Sequence, residues 1–173
     1  AFADMYLHMD MVAEAVLESG IRANLSRSPF KFEEGMKCDE KSEQKACLEY
    51  FNNWNGKGRG RIKVYIEVHS LYLLDINSLK ESAELAKSCG TGIHLHLLET
   101  EKERYDSIIK YGMDPCEIFN FCGIFDVPVI AAHCVCLSDK NMKTLKANNV
   151  NVVHNPTSNL KLGSGIARVP NMV

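Results

Sequence analysis

Histidines lie within or at the ends of four consecutive apolar segments of this chain: His69, His94 with His96, His133, and His154. Imidazole binds divalent metals and changes its protonation near neutral pH. A single histidine in a strand is more often a core residue than a ligand. Four consecutive strand ends, however, would meet on one face of a parallel barrel, where active sites are built. We therefore expect a catalytic or metal-binding site at that face.

The segment that contains His94 and His96 has the most informative spacing, because its two histidines are two residues apart. Residues two apart point to the same side of a strand, and His96, nearer the carboxyl end, is the one expected at the mouth of a barrel. His94 is expected one layer deeper, as a structural residue. Glu99 follows three residues after His96. Its carboxylate either moves a proton beside an activated water or is a helix-start acid favoured by the helix dipole, and spacing alone leaves both open.

His133 is flanked by small and apolar residues, so we expect its ring to be buried, with a backbone carbonyl as the simplest partner. The last apolar segment is followed by a polar stretch that would lie on the same face and contains Asn155, Pro156, Ser158 and Asn159. Taken alone, this stretch predicts only a turn.

Strand and helix signals alternate along the whole chain. Glycines follow several helical patterns, Thr100 and Glu103 form a capping-box pair, and Asp114, Pro115 and Glu117 mark another helix start. His8, near the first helix, is expected at the surface. Strands are predicted at 1–4, 21–25, 61–69, 93–98, 127–135 and 150–153, helices over 9–19, 43–54, 79–89, 100–112 and 114–123 and from 138, and a long loop over 26–42.

This alternation predicts an α/β fold with a parallel sheet and crossover helices. An open doubly wound sheet and a (β/α)8 barrel both fit. The first half contains no Gly-rich phosphate loop after a strand, which argues against a dinucleotide-binding sheet. A full barrel needs roughly 250 residues, so 173 residues without an initiator Met are expected to be most of a barrel that lacks its ends.

Composition narrows the possible partners. The chain is 46% hydrophobic and 24% charged with a net charge of −2, which indicates a folded domain and excludes a strongly basic nucleic-acid binder. No apolar run approaches the roughly 18 residues of a membrane span, and no signal peptide opens the chain. Its 7 cysteines lack the paired spacing of a metal framework. We expect free, mostly buried thiols in a reducing cytoplasm and no membrane partner.

Three ordered motifs, HLHLLET at 94–100, AAHCV at 131–135 and VHNPTSNLKLGSG at 153–165, closely resemble the amidohydrolase superfamily. The nearest branch is the 5-methylthioadenosine/S-adenosylhomocysteine deaminase and chlorohydrolase group, and the likeness extends over nearly the whole chain. The resemblance implies a (β/α)8 TIM-barrel fragment covering about strands 2–7. It also implies an enzyme in which a divalent ion, usually zinc and sometimes another metal such as iron, activates water to displace an amine from a purine-like ring.

The resemblance also implies roles for single residues. His96 matches the metal ligand of the family's fifth strand, and Glu99 matches the proton shuttle that also contacts the substrate ring. His133 matches the sixth-strand histidine that positions the attacking water. His69 and Arg27 match substrate-binding positions.

The family's other features have no counterpart in residues 1–173. These features are the first-strand His-x-His pair, the eighth-strand Asp and the small β-sandwich, and Leu71 stands where the family commonly has Pro. Of the expected protein ligands only His96 is present. The expected whole is a cytoplasmic, homo-oligomeric enzyme that acts on a small molecule. The alternatives are another specificity (guanine, cytosine or a chlorotriazine) and a catalytically silent barrel fragment or binding module.

Overall fold

The computed structural model describes residues 1–30 and 40–173 and contains the predicted alternation of strands and helices. None of the helices described there is both long and apolar enough to cross a membrane. The strands are β1 (Phe2–Met5), β2 (Ala23–Arg27), β3 (Ile62–Val68), β4 (Ile93–Leu97), β5 (Val129–His133) and β6 (Asn151–Val153). The helices are α1 (Met9–Ser19), α2 (Glu40–Trp54), the short turn α3 (Lys57–Gly60), α4 (Ile76–Cys89), α5 (Glu101–Tyr111), α6 (Pro115–Phe121), α7 (Asp139–Ala147) and α8 (Pro156–Lys161).

The strands form one six-stranded sheet in the order β1-β2-β3-β4-β5-β6. Every neighbouring pair is parallel. A doubly wound sheet reverses its strand order at a switch point, whereas a (β/α)8 barrel adds each strand next to the preceding one. The observed order therefore selects the barrel, and the described chain forms six consecutive strands of it.

Several predicted boundaries are wrong: α4, for example, begins at Ile76 and not at residue 79, and β5 spans Val129–His133 and not 127–135. β2 begins and ends two residues later than predicted, since Ala23 to Arg27 pair with Ile62 to Ile66 of β3. The predicted loop over 26–42 therefore overlaps the strand at one end, and at the other end α2 already begins at Glu40. The centre of that loop, residues 31–39, lies outside the described residues.

The apolar core lies between the sheet and the helices. Alternate strand side chains point to opposite faces of a sheet, and Ile66 and Val68 of β3 are fully buried against the same cluster as Leu79 and Ala83 of α4. The Asp75 side chain caps α4 by accepting a hydrogen bond from the Ser78 amide. The helices thus cover one face of the sheet, and the other face is left for polar side chains.

The free-thiol prediction is confirmed for the described cysteines. Cys47, Cys116, Cys122 and Cys134 are buried, Cys89 and Cys136 are partly buried, and all of these are free. Burial raises the pKa of the Cys47 thiol to about 12, so this group is not a thiolate at neutral pH and is a poor metal ligand. Cys38 lies outside the described residues.

Candidate active site

The carboxyl ends of β3, β4 and β5 bring three of the predicted histidines together. His69 directly follows β3, His96 lies near the end of β4 and His133 ends β5. The ring centroids of His69 and His96 are 4.6 Å apart, and those of His96 and His133 are 5.3 Å apart. The predicted convergence of these side chains on one face is therefore present.

The ring of His96 is held by the backbone of the neighbouring strand. Its Nδ1 donates a hydrogen bond to the carbonyl oxygen of His69 at 2.9 Å. Burial lowers the pKa of His96, although the His69 carbonyl and Glu99 oppose that shift. Burial, with the nearby His96, also lowers the pKa of His69 to about 4. Both rings are neutral at physiological pH, and His96 keeps the lone pair on Nε2 that a metal ligand needs.

Glu99 lies in the turn that follows β4, with its carboxylate beside His133. Its Oε1 is 3.7 Å from Nδ1 of His133 and accepts a hydrogen bond from the Ser164 hydroxyl at 3.2 Å. The side chain is 24% exposed. The carboxylate is therefore accessible to a ligand while the Ser164 hydroxyl fixes its position. This is the geometry of a group that can accept a proton and pass it on.

A second carboxylate holds the backbone of this turn. Glu103 accepts a hydrogen bond from the Glu99 amide at 3.1 Å, and its burial raises the pKa of the Glu103 carboxyl to about 7. Thr100 caps α5 by accepting from the Glu103 amide. Only one of the two hydrogen bonds of the predicted capping box is therefore present. The return bond is wrong, because the Glu103 carboxylate accepts from the amide of Glu99 and not from that of Thr100. The preceding Leu98 has φ 46°, a conformation that this contact helps to hold.

His133 is buried, as predicted, but its partner differs from the prediction. Its Nδ1 lies 2.8 Å from Oδ1 of Asn159, a fully buried side chain of α8. The expected backbone carbonyl is thus replaced by a side-chain amide. His154, after β6, contacts the same amide, with its Nδ1 at 3.4 Å from Asn159 Nδ2. The one signal in the sequence was the polar stretch that follows the last strand.

His94 lies one layer below His96, as expected for a structural residue. It is buried, and its Nδ1 is 2.9 Å from the hydroxyl of Ser26 on β2. Burial lowers its pKa to about 4, so the ring is neutral. Glu67 of β3, in register with His94, is also buried.

Arg27 is not brought into the histidine cluster. Its guanidinium lies 3.7 Å from the carboxylate of Asp10 on α1 and 5.9 Å from the ring centroid of Tyr50 on α2. These described contacts place the side chain on the helix side of the sheet.

A cavity of about 540 Å³ adjoins the cluster. It is within the usual size range of small-molecule sites, about 300–1,000 Å³. His96 and Glu99 lie on its wall, and the loop after β3 and helix α5 provide the remaining lining: Leu71, Tyr72, Thr100, Lys102, Glu103, Asp106, Ser107, Lys110 and Tyr111.

The described residues fit a metal only in part. Zinc sites use three or four protein ligands, and no group of at least 3 His, Cys, Asp or Glu side chains that could hold a metal is found among residues 1–30 and 40–173. The neutral, oriented ring of His96 is suited to be one such ligand. The described residues therefore offer one oriented candidate ligand and no complete metal site.

The chain is similar in sequence to known deaminases. A 5-methylthioadenosine/S-adenosylhomocysteine deaminase of Acetivibrio thermocellus is 61% identical over 174 residues, covering 99% of this chain and 39% of that protein. A 5'-deoxyadenosine deaminase of Methanobrevibacter smithii is 42% identical over 174 residues, with 99% and 39% covered. The chain thus spans about two fifths of the length of the curated relatives that it matches.

Solved structures share the fold. A zinc-bound adenosine deaminase of Xanthomonas campestris superposes with a TM-score of 0.88 at 24% identity, over 98% of this chain and 38% of that one. A guanine deaminase of C. acetobutylicum with bound guanine gives a TM-score of 0.84 at 24% identity, over 99% and 42%. The amidohydrolase family matches residues 1–173. Because the family's model matches the chain over its full 173 residues, this chain belongs to the amidohydrolase family.

Proposed function

We propose that this chain is part of a metal-dependent hydrolytic deaminase that removes an amino group from an adenosine-derived nucleoside. We call the protein of the relatives' length that contains it the parent protein. The observation that carries the proposal is the convergence of His96, Glu99 and His133, with ring centroids 5.3 Å apart and Glu99 Oε1 at 3.7 Å from His133. Relatives at 40–61% identity are deaminases of adenosine derivatives, which supports this substrate class.

In this proposal His96 is a ligand of zinc, or of another divalent metal such as iron. Such an ion supplies a hydroxide near neutral pH by lowering the pKa of water from 15.7 to about 7. The hydrogen bond from Nδ1 to the His69 carbonyl supports the assignment, because it fixes the ring with Nε2 unprotonated. The remaining ligands would come from parts of the parent protein beyond these residues, in the first and eighth strands.

Glu99 would carry the proton. Displacement of an aromatic amine requires a proton at the ring nitrogen and another at the leaving amine, and one carboxylate within reach of both can supply them in turn. Its contact with Ser164 and its position beside His133 support this role. His133 would orient the attacking water, which adds to the rate by fixing the direction of attack.

His69 and Arg27 would bind the substrate. His69 lies at the end of β3, its ring 6.0 Å from that of Tyr72, which lines the cavity. The neutral imidazole can donate or accept one hydrogen bond on a purine edge. Arg27 would have to leave its contact with Asp10 to reach the same ligand.

We further propose that the chain is a partial barrel domain, 1–173, within a cytoplasmic, homo-oligomeric parent protein. The free, mostly buried thiols support a reducing compartment. The balanced charge supports a small-molecule substrate rather than a nucleic-acid polymer. The oligomer is implied by the family alone.

The test is turnover of several substrates by the parent protein. Ammonia release is measured with adenosine derivatives, guanine and cytosine, and chloride release is measured with a chlorotriazine. We expect turnover of at least one adenosine derivative to exceed that of the other substrates. Preference for guanine or a triazine would move the proposal to another specificity of the same family. Absence of turnover with every substrate in the metal-loaded protein would contradict it.

A further inference from the structure

Asn159 is a polar side chain in a fully buried place. It lies in α8, after β6, with 0% of its surface exposed. A buried amide needs hydrogen-bond partners for both its oxygen and its nitrogen. The side-chain partners of Asn159 are His133 and His154.

The backbone of Asn159 is held at both polar atoms. Its amide donates to the Asn155 carbonyl at 2.9 Å, and its carbonyl accepts from the Ser164 amide at 2.8 Å. Ser164 in turn donates its hydroxyl to Glu99. The segment after β6 therefore contacts both Glu99, to which we assign proton transfer, and His133, to which we assign the orientation of water.

The side-chain contacts determine which nitrogen of His133 carries the proton. Asn159 Oδ1, an acceptor, lies 2.8 Å from Nδ1 of His133, and Glu99 Oε1, a second acceptor, lies 3.7 Å from the same atom. Asn159 Nδ2, a donor, faces Nδ1 of His154 at 3.4 Å. With oxygens on both sides, Nδ1 of His133 must be the donor, so in the neutral ring the lone pair lies on Nε2.

We propose that Asn159 is a positioning residue that fixes His133 as the Nδ1–H tautomer, and this role rests on the proposed function. A histidine that orients the attacking water by accepting its hydrogen at Nε2 presents a lone pair on that nitrogen. The Asn159 amide secures that lone pair on Nε2 by engaging Nδ1. Without the amide oxygen, the remaining acceptor is Glu99 Oε1 at 3.7 Å, too far for a hydrogen bond, so the ring could turn or exchange tautomers.

The proposal is tested by replacing the amide in two ways in the parent protein. Asn159→Leu keeps a similar volume but removes the acceptor. Asn159→Asp keeps an acceptor oxygen for His133, loses the donor to His154 and adds an ionisable carboxyl group. Asn120→Leu, at an exposed position of α6, is the matched control.

The first readout is the nitrogen NMR signal of the His133 ring in histidine-labelled protein, which reports the tautomer without any turnover. We expect the Nδ1–H form in the wild type and in Asn159→Asp, and its loss in Asn159→Leu. The second readout is kcat with the substrate found above. Loss of a residue that orients a site histidine typically costs 10–100-fold, so we expect that fall in Asn159→Leu, a smaller one in Asn159→Asp, and little change in KM.

An Nε2–H tautomer in the wild type would overturn the inference. An unchanged tautomer and kcat in Asn159→Leu would overturn it as well. If that variant does not fold, the wild-type tautomer and the Asn159→Asp variant still decide it. A protein that deaminates no substrate, but whose Nδ1–H form is present in the wild type and lost in Asn159→Leu, would refute the proposed function while supporting the assignment of the tautomer to Asn159.

Discussion

At the residue scale, the site is built from side chains that are each held on one side by the protein. The His69 carbonyl accepts from His96, Ser164 donates to Glu99, and Asn159 contacts His133. Groups fixed in this way need little reorganisation when a ligand arrives, which is the basis of preorganised catalysis. The individual roles can be separated by substitution.

Replacing His96 with Ala in the parent protein should abolish metal binding and, with it, deamination. The orientation and the neutral state of this ring suit a metal ligand. Loss of a side chain that only orients a metal-binding residue typically lowers the affinity for the metal by about 10–100-fold. Loss of the metal-binding residue itself should lower that affinity at least as much. The measurement is zinc content per protein after gel filtration.

The control for this substitution is His8→Asn. His8 is exposed outside the cluster, and its left-handed backbone, φ 56°, suits Asn. Full zinc occupancy in His96→Ala would remove His96 from the ligand set.

Replacing Glu99 with Gln should leave the metal bound but lower turnover by roughly 10²–10⁴-fold, the usual contribution of general acid–base catalysis. The amide keeps the size of the side chain and an oxygen for the Ser164 hydroxyl, but it does not carry the proton. The measurements are kcat and zinc content of the same preparation. Glu101→Gln, at an exposed neighbouring position, is the control. Near-normal turnover in Glu99→Gln would contradict the proton-transfer role and would leave Glu99 as an acidic residue at the start of a helix.

The spacing of the histidines was sufficient to predict which side chains meet, because strand ends of a parallel sheet share one edge. It was not sufficient to predict the partners of those side chains. The contact of His133 with Asn159 joins positions 26 residues apart, and that of Glu99 with Ser164 joins positions 65 apart. Such contacts depend on how the segment after β6 folds back, which periodicity does not encode.

At the element scale, each strand is divided between two environments. Outward residues such as Ile66 pack under the helices, while Glu67 and His94 lie buried on the other face. Alternation predicted this division in outline. The strand ends were less predictable: β2 ends at Arg27 because its pairing with β3 continues to Ile66, and no local signal marks that register.

The buried Glu67 predicts a specific pH dependence of stability. Burial raises the pKa of its carboxyl from 4.5 to about 8, against the opposing effect of Arg27. The folded protein then binds this proton more tightly than the unfolded chain does. The resulting stabilisation is complete below pH 4.5 and is lost as the pH rises to about 8, with a slope of at most about 1.4 kcal/mol per pH unit.

Urea unfolding of the parent protein across this pH range measures the effect. Glu67→Gln carries no titrating proton, so its free energy of unfolding should fall less steeply with pH than that of the wild type. Glu103, whose pKa is also raised, is present in both proteins and cancels in the difference. Glu18→Gln, an exposed change on α1, should keep the wild-type slope. Equal slopes for Glu67→Gln and the wild type would show that Glu67 is ionised in the folded protein.

At the scale of the whole molecule, the described strands form an open sheet with β1 and β6 at its edges. Unpaired strand edges favour association with another chain. The described part of the chain also lacks a group of 3 metal-binding side chains. Because of these two features, we expect this chain to differ from the parent protein in association and in metal binding.

The chain expressed by itself should therefore bind zinc weakly at best, show no deaminase activity, and associate in solution. Zinc affinity falls sharply when ligands are removed from a site, and only His96 is assigned as a ligand here. Calorimetric titration with zinc and light scattering at several protein concentrations measure both properties. A monodisperse monomer with a tight, stoichiometric zinc site would require a different set of ligands.

The most direct measurement is the rate of ammonia release from 5-methylthioadenosine by the parent protein as bound zinc is removed with a chelator and then restored. If the cluster of His96, Glu99 and His133 is the site of a metal-dependent deaminase, the rate should fall in proportion to the metal removed and return when zinc is added back. A rate that stays constant as the metal is removed would contradict the assignment.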